Sequence, residues 1–193
     1  VSPYYPNEQF PNGERGPANF DATHRFVSSV IYDLPWLRGR NDALGQVLGG
    51  WNISVITTFQ DGLPYTVALG RDLAGIGYST RQRPHISGDP TLDNPTPGAW
   101  FDTSVFSSPE LGSLGILGRN TMRYPGTNNW DIALTKSVRF FEDVELDIRA
   151  EMFNVWNHTQ FAGVGSNFSA TSFGRVTSAK DPRTMQVGLR LSF

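Results

Sequence analysis

The clearest candidates for chemistry in the sequence are four charged residues at alternate positions, Glu145, Asp147, Arg149 and Glu151. Paired carboxylates can act as general acid and general base, but only where a shaped cleft holds them around a substrate. Alternate residues of a β-strand instead share one face of that strand. Because a charged strand face needs only water and neighbours such as Arg190, we interpret these five residues as lining a solvated surface.

Other residue types that could carry out chemistry form no recognisable constellation. The histidines His24, His85 and His158 lack metal-ligand spacing, and the chain has no cysteine. No segment resembles the nucleophile elbow of a hydrolase. Asn157-His158-Thr159 matches a glycosylation sequon, but an asparagine that turns the chain out of a strand is the simpler interpretation. The sequence therefore predicts no catalytic residue, no metal and no cofactor, and a protein that is not an enzyme.

A third group of candidates consists of arginines in a glycine-containing segment, Arg71, Arg81 and Arg83. Their spacing does not match that of a phosphate-binding loop. On an exposed loop they could bind an anionic ligand or the phosphates of lipopolysaccharide, or they could simply be solvated. The sequence leaves both interpretations open.

Five segments with a period of two would position these side chains, at about residues 23–34, 51–60, 129–140, 144–154 and 183–193. Apolar residues dominate one parity of each segment and polar residues the other. An antiparallel transmembrane β-barrel has this pattern, because lipid-facing and lumen-facing residues alternate. Glu145, Asp147, Arg149, Glu151 and Arg190 then face the lumen. The residues predicted to face lipid are Phe26, Val30, Tyr32, Ile53, Val55, Phe59, Ile132, Leu134, Leu146, Ile148, Met152, Val187, Leu189 and Leu191.

The connections between the five segments alternate in length. Residues 35–50 and 141–143 form short connections, and residues 61–128 and 155–182 form long ones. Long loops are uncommon in compact soluble domains, whereas outer-membrane barrels have short periplasmic turns and long extracellular loops. We therefore expect ligand contacts to come from the two long loops.

The size of the segments also fits a membrane. Ten residues at ~3.3 Å each, tilted by ~45°, span roughly 23 Å, which is close to the apolar band of roughly 25 Å in such barrels. Charged residues make up only 18% of the chain, yet no apolar run approaches the ~20 residues of a membrane helix. With a net charge of −2, there is no basic surface that would indicate nucleic-acid binding. Aromatic residues near the segment ends could form girdles: Tyr32, Trp51, Trp130, Trp156 and Phe193.

One charged residue, Lys136, falls on the apolar parity of the third segment, near its periplasmic end. A lysine at the membrane midplane costs about 2–4 kcal/mol, whereas near the interface the cost is close to zero. We therefore expect the Lys136 ammonium group to snorkel to water.

Six strings, in order along the chain, resemble the C-terminal barrel region of TonB-dependent outer-membrane receptors of the Oar-like subgroup. They are residues 19–26, 48–54, 60–65, 118–121 with 125–126, 149–158, and 173–179 continuing to 189–193. The resemblance implies a large barrel, taken as 22-stranded, that is plugged by a separate domain and imports a bulky ligand. It also implies location in the bacterial outer membrane, and Phe193 as the insertion signal for the barrel assembly machinery. The other implied partners are membrane lipid and lipopolysaccharide, the plug domain of the same chain and the TonB complex.

Five strands cannot close a bacterial barrel, which needs at least ~8 strands. We therefore expect residues 1–193 to be the C-terminal part of a single barrel domain, with the plug encoded upstream. Two alternatives stay open on the pattern alone. One is a soluble β-sandwich or lectin-like binding domain, and the other is a passive porin or adhesin barrel without a plug.

Overall fold

The computed structural model describes residues 14–37, 42–77, 82–141 and 144–193. The described chain is built of antiparallel strands and one short helix, α1 (Ala43–Leu48), so the predicted all-β class is confirmed. In chain order the strands are β1 (Arg25–Asp33), β2 (Asn52–Gln60), β3 (Pro64–Tyr65), β4 (His85–Ile86), β5 (Phe106–Ser107), β6 (Met122–Arg123), β7 (Thr127–Phe141), β8 (Val144–Phe153), β9 (Phe161–Val164), β10 (Val176–Ala179) and β11 (Thr184–Ser192).

The described residues divide into two compact units. The sheet unit consists of residues 24–37, 42–60, 127–141, 144–160 and 181–193. The loop unit consists of residues 14–23, 61–77, 82–126 and 161–180. None of the helical residues in these ranges belongs to a helix that is long and apolar enough to cross a membrane.

The sheet unit contains one five-stranded antiparallel sheet in the order β1-β2-β7-β8-β11. Each of its strands begins and ends within two residues of a predicted segment. β1 ends before Pro35, which has no amide hydrogen to donate, and β2 ends before Asp61-Gly62, a turn sequence. The longest strand is β7, with 15 residues. The described sheet is open, with β1 and β11 at its edges.

Helix α1 lies in the connection between β1 and β2, where the sequence predicted only a turn. The Asp42 carboxylate caps its N-terminus by accepting a hydrogen bond of 3.0 Å from the Gly45 amide. Gly49 follows its last residue, and its amide donates to the Gly45 carbonyl. A helix of six residues is marginal by itself in water, so its contacts with the rest of the sheet unit must stabilise it.

The loop unit has a hydrophobic core of its own, although the sequence predicts loops for most of it. Three two-stranded sheets, β3-β6, β4-β5 and β9-β10, hold its segments together. Strands of two to four residues are too short to show a period, which is why the sequence did not reveal them. The buried apolar residues of this core are Tyr65, Val67, Phe101, Phe106, Leu117, Met122 and Val164.

Phenylalanine rings form the centre of this core. Phe101, Phe106 and Phe173 contact one another edge to face, with ring centroids 5.2 to 5.6 Å apart. Gly174 follows with φ of 76°, and a Cβ atom there would lie 2.4 Å from the Thr103 methyl group. The packing at positions 173 and 174 therefore requires an aromatic side chain followed by a glycine. This explains why the string at residues 173–179, one of the six that carry the resemblance, begins with Phe173-Gly174.

A buried asparagine, Asn120, joins three segments of the loop unit. Its side-chain amide donates to the Pro17 carbonyl and to Asn19 Oδ1, each at 2.7 Å, and its Oδ1 accepts from the Thr66 hydroxyl at 2.8 Å. Its φ of 53° is in the left-handed region, which asparagine tolerates better than most residues. Asn120 thus ties the segment before β1 to two later ones.

Acid is expected to loosen the loop unit through Asp72. Burial acts to raise the pKa of Asp72, but hydrogen bonds from the Gly77 amide, the Gln82 side chain and the Ile76 and Gly75 amides outweigh it and hold the pKa below its usual 3.8. A carboxyl with a lowered folded pKa stabilises the fold above the unfolded pKa and loses that contribution as pH falls through the folded pKa. The protection of residues 72–77 against hydrogen exchange, relative to the intrinsic exchange rate at each pH, should therefore fall below about pH 4.

The matched variants for this prediction are Asp72→Ala and Asp93→Ala, which removes an exposed aspartate of the same unit. Asp72→Ala should remove most of the protection of residues 72–77 already at neutral pH, and with it the acid dependence of that protection. Asp93→Ala should leave the wild-type profile unchanged. An unaltered profile in Asp72→Ala would show that these amide bonds do not hold the segment.

Candidate lumen-facing surface

The register of the sheet places the five predicted lumen-facing residues on one face. Directly paired residues of neighbouring strands lie on the same face of a sheet. Asp147 pairs with Arg190 of β11, and alternate residues of β8 share a face. The face containing Glu145, Asp147, Arg149, Glu151 and Arg190 is called the charged face below.

Side chains of the charged face bind mainly one another. Arg149 forms an ion pair with Glu151 two residues along β8, and the Gln186 side-chain amide of β11 donates to the same carboxylate. The Ser137 hydroxyl of β7 donates to Asp147. These contacts link three adjacent strands, so the positions of the charged groups relative to one another are defined by the sheet register.

The outer pair of the charged face is weaker. Arg139 lies 3.6 Å from Glu145, and both side chains are well exposed. An exposed pair of this kind contributes about 0.2–1 kcal/mol. The Glu145 carboxylate and the Arg139 guanidinium group therefore remain accessible to ions in solution.

Gly188 leaves space beside the central arginine of the charged face. It pairs directly with Arg149, and a Cβ atom built on Gly188 would have no other atom within 4 Å. The Arg149 side chain is 61% exposed. The position opposite Arg149 is thus open, and the guanidinium can turn toward an anionic group.

The opposite face of the sheet, called the apolar face below, contains all fourteen residues predicted to face lipid. One row of directly paired residues runs across all five strands: Tyr32, Ile53, Leu134, Ala150 and Val187. Several of these side chains are largely exposed, with Val187 at 74%. A broad exposed apolar surface marks a contact with lipid or with another protein.

Aromatic residues lie at both ends of the apolar face. At the end where the long connections begin, Phe26, Phe59, Trp130 and Trp156 form a chain of ring contacts with centroids 5.9 to 6.4 Å apart. At the other end the Trp51 indole donates to the Val47 carbonyl at 3.1 Å. Eight residues of extended chain separate Phe59 from Trp51, about 26 Å along the strand or about 19 Å across a membrane at a tilt of ~45°. The two aromatic groups would then lie just inside the borders of an apolar band of roughly 25 Å.

Lys136 lies on the apolar face but does not extend to water. It pairs with Ile148, and only 6% of it is exposed. Its ammonium group donates to the carbonyls of Gln46, Val47 and Gly49 at the C-terminal end of α1, and it lies 5.6 Å from the centroid of the Trp51 ring. The prediction that Lys136 snorkels was therefore wrong, because α1 provides carbonyl partners that the sequence did not reveal.

A family model described as an outer membrane beta barrel domain matches residues 2–186, almost the whole chain. The chain belongs to this family. Members of the outer membrane β-barrel family lie in the bacterial outer membrane, so the predicted location is confirmed. No curated protein and no solved structure gives a significant match to the chain.

In this barrel-family chain, the arginines proposed to bind an anionic ligand have different surroundings. Arg83 is buried and forms an ion pair with Glu14, so it has a structural role inside the loop unit. Arg71 is exposed, and its guanidinium lies 3.5 Å from the Ser108 hydroxyl. Arg81 lies outside the described residues. Among the described arginines of this segment, Arg71 is therefore the exposed one, and Arg83 is not available for a ligand.

The exit of the barrel-family chain from β8 depends on two asparagines. Asn154 and Asn157 have φ of 51° and 50°, and the Asn157 amide donates to the Asn154 carbonyl at 2.8 Å. The prediction that Asn157 turns the chain out of a strand is confirmed. The His158 amide donates to Asn154 Oδ1 in the same turn. Within the described ranges, no three histidine, aspartate or glutamate side chains are grouped in a way that could hold a metal ion.

Proposed function

We propose that the chain forms part of the wall of a TonB-dependent outer-membrane receptor that imports a bulky ligand. The observation that carries the proposal is the contrast between the two faces of the sheet. The charged face has ion pairs, amides and hydroxyl groups across adjacent strands, whereas the apolar face has complete rows of aliphatic and aromatic residues. In an outer-membrane barrel, this contrast makes the charged face the lumen.

The long connections support a receptor. They contribute most of the loop unit, which has its own aromatic core and its own short sheets. A packed core gives a binding surface a fixed shape, and this lowers the entropy lost on binding compared with flexible loops. The family match is to the outer membrane barrel domain as a whole. The support for the TonB-dependent subgroup comes from the six strings, which occur in the order of that subgroup.

The charged face is tested by ion selectivity. With the full-length protein in a planar bilayer under a KCl gradient, and with urea added to loosen the plug, Arg149→Glu should shift the reversal potential toward cation selectivity, because a lumen charge attracts or repels ions in the water-filled path beside it. Ile148→Gln, one residue away on the apolar face, should leave the potential unchanged. Equal potentials for wild type and Arg149→Glu would show that this face does not line the ion path.

Energy coupling is tested separately. A plugged receptor should be closed to KCl until urea loosens the plug, and the native protein should be retained on an immobilised periplasmic domain of TonB. A passive porin would conduct at once and would not be retained. Immediate conduction without retention on TonB would reject the TonB-dependent receptor, but it would still agree with a barrel wall formed by this sheet.

A further inference from the structure

Helix α1 lies on the side of the sheet unit that carries the apolar face. Its last carbonyls accept hydrogen bonds from Lys136, and Lys136 belongs to the row of Ile148 and Leu189. These carbonyls are among those that an α-helix leaves without an internal partner. Lys136 therefore both caps the helix and attaches it to the apolar face, at the end of the sheet where the connections are short.

The surface of α1 divides into a side that contacts protein and an apolar stripe. Gly45 and Gly49 are buried, and a Cβ atom on Gly49 would lie 2.8 Å from the Leu37 carbonyl oxygen. Leu44, Val47 and Leu48, at spacings of three and four, form a stripe on another side of the helix. Their exposed fractions are 57%, 64% and 53%.

The composition around this stripe is that of a membrane interface. Residues 43–51 carry no charged side chain, and Gln46 is the one polar side chain of the helix. The exposed aromatics Tyr32 and Trp36 precede it in the same part of the chain. Aromatic residues of this kind mark the headgroup level in membrane proteins. Trp51 and Lys136 connect the helix to the apolar face, because the Trp51 indole donates to Val47 and the Lys136 ammonium group lies over the Trp51 ring.

We propose that α1 is an interfacial helix: Leu44, Val47 and Leu48 insert among the headgroups and outer acyl carbons of the nearer membrane leaflet. The same helix covers Lys136, so that a lysine on a lipid-facing surface has three carbonyl partners and no contact with hydrocarbon. Lipid contact along the stripe in turn stabilises a helix that is too short to persist alone. The proposal rests on the outer-membrane location and on the apolar face, and not on TonB dependence.

Site-specific fluorescence quenching tests the proposal. Residues 1–193 contain no cysteine, so Val47→Cys and Leu44→Cys each give one labelling site for a bimane fluorophore within this range, and any cysteine elsewhere in the full-length protein is replaced by serine. The full-length protein is reconstituted into phosphatidylethanolamine and phosphatidylglycerol vesicles that contain nitroxide lipids. Labels at both positions should be quenched roughly twofold more by a nitroxide near the headgroup than by one deep in the acyl chain, as expected for an interfacial helix.

Two matched sites separate the possible outcomes. Ile148→Cys, at the level of the apolar face, should be quenched by lipid nitroxides, and Ser29→Cys, on the charged face, should not. If Ile148 responds but Val47 and Leu44 are quenched mainly by aqueous iodide, the helix is in water and the proposal is overturned. It is also overturned if iodide and lipid both fail to reach them, because another protein or a second copy then covers the stripe. If Ile148 itself is not quenched, the barrel-wall assignment fails.

Discussion

Gly62→Ala is expected to destabilise the loop unit by about 3 kcal/mol or more, the range of severe overpacking. A Cβ atom on Gly62 would lie 1.5 Å from the Tyr124 carbonyl oxygen and 2.5 Å from its carbonyl carbon. Both are backbone atoms, so no side-chain rotation can relieve the overlap. The chain would have to separate next to the β3-β6 pair, where the Gly62 carbonyl accepts from Arg123 and the Tyr124 amide donates to Leu63.

The matched control is Gly98→Ala, in the same unit. A Cβ atom on Gly98 has no neighbour within 4 Å, so alanine there should change stability by about 0.5 kcal/mol or less. Both variants are compared by urea titration and by hydrogen exchange of residues 63–69 and 117–124. Similar exchange in the two variants would mean that the close approach of Gly62 to Tyr124 does not exist in solution.

Lys136→Met is expected to reduce the stability of the sheet unit by about 2–3 kcal/mol, because carbonyls of α1 lose their donor in a poorly hydrated place. Methionine is similar in length and would be favourable in lipid, which opposes the effect. The carbonyls of Gln46 and Gly49 lose the Lys136 ammonium group, and this loss outweighs that gain, whereas the Val47 carbonyl keeps the Trp51 indole as a donor. Exchange of residues 43–50 should accelerate most, because Lys136 holds this segment on the sheet.

Lys180→Met, at an exposed position, is the control and should leave the exchange of residues 43–50 unchanged. Stability is measured by urea titration in detergent or in lipid. A Lys136→Met variant more stable than the wild type would indicate that lipid contact at this position outweighs the helix cap, and the account of α1 given above would fail.

The five sheet strands could be predicted because each shows a period of two over nine or more residues. The same parity separates Glu145 and Asp147 from Leu146 and Ile148, so the two faces follow from the sequence as well. The register of the strands then determines which residues of neighbouring strands lie side by side, which the alternation within one strand cannot predict. It brings Asp147 beside Arg190 and places Gly188 opposite Arg149.

Features that depend on distant residues could not be predicted. Arg83 resembles a solvated loop arginine until Glu14, 69 positions away, is brought to it by folding. In the sequence, Lys136 is a charged residue at an apolar position of a strand. Its burial is explained only by α1, which covers it in the fold. For α1 there was a local signal, Asp42 at the N-terminus and Gly49-Gly50 at the end. Its six residues, fewer than two turns, are too few for a helical period to appear.

The burial of Lys136 has a chemical consequence. Lys136 and Lys180 are the lysines of this chain, and only Lys180 is exposed. An ammonium group that donates three hydrogen bonds under a helix reacts slowly with acylating reagents, whereas the same group in an unfolded chain reacts freely. The ratio of acylation at these two amines therefore records whether α1 has docked on the sheet.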